Sequence, residues 1–308
     1  MTKTLFLAAA LAMSTVVTAA TPHPATMPIT WKQVAAMPQP PAGEKISYGE
    51  APQQFGELRV PKGKGPFPVV VLIHGGCWLA AYDYQYINPL AAALTAQGMA
   101  TWTIEYRRLG DEDGGWPNTL LDVAKATDHL RVIAETHPVD TARVISMGHS
   151  AGGHLALWLG ARHKLAKTSE LYLPTPLALK GVVGLAAITD LNTYRVGPVD
   201  SCNASVDQLM GGTPTRHPLR YAEASPRLLL PLGVPQWLVQ GGKDPIVPME
   251  SVQAYATAAR QAGDDGTVSV DPDLGHFDPA VPQTALGAVA VAAALNLLGL
   301  IDEPAPRR

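Results

Sequence analysis

Apolar positions along this chain switch repeatedly between strand-like runs and helical spacing, and that switching carries most of the fold. Phe55 to Val60 reads as a strand, closed by Pro61 and the turn-forming Lys62-Gly63-Lys64-Gly65-Pro66. Val69 to Ile73 is apolar at every position, the pattern of a strand covered on both faces in a parallel sheet. It runs into His74-Gly75-Gly76. Tyr86 to Gly98 shows helical spacing with a terminal glycine, and Met99 to Tyr106 predicts another strand. Leu121, Val123, Ala126, Leu130 and Ile133 fall at helical intervals, predicting one helix over 118–136.

The alternation continues. Arg143 to Met147 predicts a strand and Ala151 to Arg162 a helix; Val182 to Leu185 and Trp237 to Gln240 predict two more buried strands. A helix over Met249 to Ala262, a last strand over Thr267 to Val270 and a helix over Pro282 to Leu298 close the chain. Residues 187–233 show little periodicity, and 21–44, rich in Pro and Ala, predict an extended lead-in. Alternating strands and helices predict an α/β fold, a mostly parallel sheet with helices on both faces. No repeat or composition break splits it. The expectation is one domain over 45–300 with a lid-like insertion at 187–233 and a tail at 301–308.

Composition changes the picture at the edges. Apolar residues make up 47% and charged residues 16%, enough for a large core. Lys and Arg number 23 against 26 Asp and Glu, a net charge of −3 without a basic cluster, so no footprint for nucleic acid is visible. Lys3, the apolar run Leu5 to Val17 and the small residues Thr18-Ala19-Ala20 match a signal peptide cleaved near Ala20. The run is shorter than the roughly 20 residues a membrane span needs. Ala285 to Leu300, interrupted by Asn296, suits a packed helix better than a span. The expected location is periplasmic or secreted. Cys77 and Cys202 are the two cysteines; they permit one disulfide in an exported protein or two separate buried thiols, and their spacing suits no metal.

Candidate chemistry begins at Gly148-His149-Ser150-Ala151-Gly152. A G-x-S-x-G string is common by chance, but here a strand precedes it and a helix follows directly. Such a sharp turn strains the serine backbone, lifts its hydroxyl above the sheet edge and sets a helix N-terminus beside it. A serine hydroxyl needs a base to take its proton, and the base a carboxylate to hold it. Of nine histidines, His276 alone lies in a post-strand loop downstream of a suitable acid; His149, on the elbow itself, is expected to point away from it. The acid is Asp244, just after the strand Trp237 to Gln240; Asp190 follows the wrong strand, and Asp271, Asp273 and Asp278 crowd His276.

The strings HGGCW (74–78), EYRR (105–108), GHSAGG (148–153), GGKDPIVP (241–248) and GHFDP (275–279), in this order, resemble the α/β-hydrolase superfamily. Within it they resemble the esterase/lipase branch of hormone-sensitive lipase and bacterial carboxylesterases. The resemblance implies an eight-stranded sheet, nucleophile Ser150, acid Asp244, base His276, and an oxyanion hole from the N–H groups of Gly76, Cys77 and Ala151. It implies an acyl-enzyme route to a small or medium carboxylic ester, with neither metal nor cofactor. Cys77 and Trp78 stand where many relatives have Gly and an aromatic, and the HGG-x-W spelling also looks like arylformamidases. Amide hydrolysis on the same fold, of formamidase or peptidase type, is the alternative. No large N-terminal cap is present, so Tyr194 and Met210 from the 187–233 insertion, with Trp78, are the expected pocket walls.

Overall fold

The computed structural model describes residues 27–197 and 202–301. The expected leader over 1–20, the start of the lead-in and residues 302–308 lie outside the described residues.

Eight strands form one sheet: β1 (Glu44–Ser47), β2 (Phe55–Arg59), β3 (Phe67–Ile73), β4 (Ala100–Ile104), β5 (Val139–His149), β6 (Gly181–Leu185), β7 (Gln236–Gly241) and β8 (Gly266–Asp271). Their order is β1-β2-β4-β3-β5-β6-β7-β8. The first two pairings, β1 with β2 and β2 with β4, are antiparallel, and all later ones are parallel. This is the α/β-hydrolase fold.

The all-apolar run in β3 is explained by its central place. Val69, Val71 and Ile73 enter the core on one face of the sheet, and Val70 and Leu72 the core on the other. Successive side chains in a strand point to opposite faces, so a strand covered twice has no position left for a polar residue. The helix Ala151–Ala161 is buried along its whole length within the first core. Leu286, Ala290, Ala293 and Ala294 of the closing helix Ala285–Leu297 pack into the second. Among the described residues no helix is long and apolar enough to cross a membrane.

Four expectations change. The helix predicted over 118–136 is two pieces, Asn118–Asp128 and Leu130–Ile133. Strand β5 starts at Val139, not Arg143, because Val139 and Asp140 pair with Phe67 and Pro68 before the register shifts at Pro68/Val69. Residues 187–233 hold short helices, Leu191–Tyr194, Val206–Leu209 and Pro218–Ala224, each too brief to show a period. The lead-in is not simply extended: Trp31–Ala35 is a helix, packed into the second core through Val34.

Candidate active site

The parallel strands deliver three loops to one rim. Ser150 sits between β5 and the following helix with φ 57° and ψ −119°, a conformation costly for any residue with a Cβ. Its amide donates to the Leu185 carbonyl at 2.8 Å, fixing the elbow to β6. Gly152 permits this turn: a Cβ there would strike the carbonyls of Ile73 and His74. Gly75 plays the same part from the facing loop, since its Cβ would lie 2.6 Å from the His149 carbonyl and 3.0 Å from Ser150 Cβ. Elbow and facing loop are therefore pressed together, backbone on backbone.

Asp244 and His276 meet as expected. The Nδ1–H of His276 donates to Asp244 Oδ2 at 2.8 Å, with both side chains almost wholly buried. The same carboxylate accepts from the amides of Ile246 and Val247 at 2.7 and 2.8 Å, and from Gln240 Nε2 at 3.0 Å. Burial alone would raise the pKa of Asp244, but the hydrogen bond and charge of His276 and these amides hold it below the ordinary value. With Nδ1 donating, the other imidazole nitrogen of the neutral ring is left as an acceptor. His276 and Ser150 line one cavity of about 250 Å³, with Gly76, Cys77, Tyr86 and Phe277 among its other walls. Ala151, wholly buried, opens the helix at its N-terminus, where amides have no intrahelical acceptor.

Several further residues hold the site, and only part of this was visible beforehand. The neutral His149 ring donates through Nε2 to the backbone carbonyl of His276 at 2.9 Å and accepts the Tyr86 hydroxyl at Nδ1 at 2.8 Å. That hydroxyl accepts the Gly75 amide at 2.6 Å. The elbow side chain thus does not turn away from the base: it ties the base loop to the glycine loop through Tyr86. His74 faces an acceptor at each ring nitrogen, the Gly75 carbonyl and Glu105 Oε1, both at 2.8 Å. Glu105, from the EYRR string, is buried, which would raise its pKa, yet the charge and hydrogen bond of His74 and the Arg108 charge keep it lowered. The EYRR string by itself assigns Glu105 no role.

The pocket walls need correction. Trp78 and Met210 are both wholly buried and belong to the core, not to the cavity. Trp78 has a backbone φ of 56°, and its indole lies in the core, edge-on to His154 at 5.4 Å. Tyr194 lines a neighbouring cavity of about 190 Å³, and its hydroxyl donates to the Ile246 carbonyl at 3.1 Å. The walls that take their place are Trp31, Tyr82, Tyr86 and Phe277, with Trp31 edge-on to Tyr82 and Tyr86 at 5.2 and 5.5 Å. Cys77 and Cys202 are joined by a disulfide, and both line the cavity. Among the described residues no cluster of His, Cys, Asp and Glu could hold a metal ion.

Two predictions arise here. Tyr86→Phe leaves the Gly75 amide and His149 Nδ1 without their buried partner, a loss of about 1–3 kcal/mol. We expect kcat on a reactive ester to drop about tenfold or more with KM changed less; a variant as active as the wild type would contradict the link. The second concerns acid. Burial drives His149 down to about 3 and His154 to about 4, whereas the unfolded chain protonates histidine near pH 6.5. Between those values the unfolded state binds more protons, so stability is complete above about pH 6.5 and declines as pH falls toward 4. Asp244 and Glu105, both lowered, add to the loss at still lower pH. Thermal melts should show a lower Tm at pH 5 than at pH 7, and equal values would refute this.

A serine elbow on the sheet rim sharing a cavity with an Asp–His pair is the arrangement of serine-type α/β hydrolases. The chain belongs to the BD-FAE family, which it matches over residues 58–258. Esterase LipC of Mycobacterium tuberculosis is 27% identical over 266 residues, covering 82% of this chain and 64% of that protein. Esterase EstD of Thermotoga maritima is 25% identical over 210 residues, 61% of this chain and 49% of that one. This chain thus spans less than two thirds of the length of either relative. Among solved structures, a truncated carbohydrate esterase from gut microbiota superposes with a TM-score of 0.72 at 20% identity, over 85% of this chain and 97% of that one. Esterase B from Lactobacillus rhamnosis gives 0.72 at 19% identity, over 86% and 89%. At such identities the structural likeness establishes the fold.

Proposed function

We propose that the protein is an exported serine hydrolase that cleaves a carboxylic ester of a small or medium acyl group. The observation that carries this is one cavity wall holding both the strained Ser150 and the Asp244-bound His276. His276 takes the proton of Ser150 as its oxygen attacks the ester carbonyl. The amides of Gly76, Cys77 and Ala151 receive the charge that develops on the carbonyl oxygen, each such donor being worth about 3 kcal/mol. His276 then returns the proton to the leaving alcohol, and water releases the acyl group by the same route. Asp244 stays ionised throughout and stabilises the imidazolium.

The names of LipC and EstD support ester over amide as the bond attacked. The cavity volume of about 250 Å³ suits an acyl chain of a few carbons. Export rests on the leader-like first twenty residues together with the Cys77–Cys202 disulfide, a bond that persists in oxidising compartments. The test is a fluorophosphonate probe on the mature protein, followed by peptide mapping. Stoichiometric label on Ser150 and turnover of p-nitrophenyl acetate and butyrate are expected; folded protein that takes no label would refute the proposal.

A further inference from the structure

Residues 28–31 do more than lead into the domain. The Ile29 amide donates to the buried carboxylate of Asp278 at 3.1 Å, and the same oxygen accepts the Gly275 amide at 2.8 Å. The N-terminal segment is thereby fastened to the loop that carries His276. Pro28 lies against Gly275, where an added Cβ would come within 2.8 Å of it. Thr30 donates from its amide and its hydroxyl to Gln33 Oε1 at 2.9 and 2.7 Å, starting the short helix that holds Trp31 in place. The indole packs on Tyr82, Tyr86 and Phe277, yet Trp31 as a residue stays 37% exposed.

That exposure has a location. Trp31 borders two cavities: the one of about 250 Å³ that holds Ser150, and a second of about 320 Å³ walled by Pro28, Ile29, Lys243, Pro245 and Gly275. Trp31, Ile246, His276 and Phe277 are shared between them. The two differ in their chemistry. Gly76 and Cys77 face only the first, where the carbonyl oxygen and acyl group would lie. The second has the base and no nucleophile. In ester cleavage the base hands its proton to the departing alcohol, so a cavity that contains the base but not the serine is placed for that alcohol.

The geometry points to the second cavity as the subsite for the leaving alcohol, with Trp31 as the specificity-determining partition between it and the acyl side. This rests on the serine-hydrolase reading above. The walls set the class of alcohol. Pro28, Ile29, Pro245 and the indole offer apolar surface, while Lys243 stands at the rim, 53% exposed and paired with Asp273 at 2.8 Å. A bulky, ring-bearing alcohol with an apolar face fits these walls, with any polar substituents directed to the Lys243–Asp273 rim.

The test compares acetate esters of ethanol and of a cyclohexyl alcohol on the full mature protein. For Trp31→Ala and for Lys243→Tyr, which adds bulk at a wall residue that the Ser150 cavity does not share, kcat/KM for the cyclohexyl ester relative to the ethyl ester should fall about tenfold. Leu219→Ala, at an exposed position on another part of the molecule, serves as the control for handling and folding. Fluorophosphonate labelling of Ser150 in each variant separates the two ideas. If the wild type is labelled and the alcohol preference stays unchanged in both variants, the subsite is refuted while the serine mechanism stands. If Ser150→Ala retains esterase turnover, the mechanism fails and the subsite with it.

Discussion

Ser150→Ala should reduce kcat for p-nitrophenyl acetate by about a millionfold, leaving only what binding and the oxyanion donors can supply. The size follows from the division of labour at the rim. Without the hydroxyl there is no acyl-enzyme, so the Asp244–His276 pair has no proton to take from the serine. His276→Ala should cost nearly as much, and the double variant little more than either, because the residues act as one unit. Folding should survive: Ser150 contributes chiefly its strained backbone, and alanine introduces no larger side chain. Circular dichroism and the melt of the variant test that independently. A purified Ser150→Ala protein within tenfold of wild-type activity would remove Ser150 from the chemistry.

The second large effect concerns the disulfide. Cys77 and Cys202 are 125 residues apart in sequence with Cα atoms 4.7 Å apart, so the bond closes a very long loop in the unfolded chain. Cys202→Ser should lower the unfolding free energy by about 3–5 kcal/mol, read from the urea midpoint. Activity should suffer as well, because Cys77 carries an expected oxyanion donor at φ 56°, a conformation its surroundings must enforce. We expect kcat to fall by about tenfold or more with KM less affected. An unchanged urea midpoint would show that the loop is held by packing alone.

How much was legible beforehand depends on how local the signal is. Strand β3 is apolar at every buried position, so its centrality could be read from five residues. Strand β1 could not: of Glu44–Ser47 only Ile46 is even partly buried, and an edge strand with one apolar contact shows no alternation. Ser150, Asp244 and His276 could be singled out because each follows a strand in a fixed order; the structure brings Asp244 against His276 and puts His276 and Ser150 on the lining of one cavity. The pocket walls were less readable. Trp78 follows the glycine loop directly, yet its ring is wholly buried in the core, a placement that sequence position does not reveal. Trp31 sits in a Pro-rich stretch, and its contacts with Tyr82 and Phe277 join residues far apart in the chain. His149 was placed wrongly for a similar reason: its partner is the main-chain carbonyl of His276, which a motif does not record.

The hydrogen bond from Ile29 to Asp278 bears on how the protein should be produced. An expression clone trimmed past Thr30 would lose the Ile29 bond to the loop bearing His276 and the Thr30 start of the helix that holds Trp31, and a bulky affinity tag fused just ahead of Pro28 would crowd the same contacts. Purification handles belong at the other end, beyond the helix Ala285–Leu297. Activities measured on differently trimmed preparations would then differ both in overall turnover, through the His276 loop, and in which alcohols they accept, through Trp31.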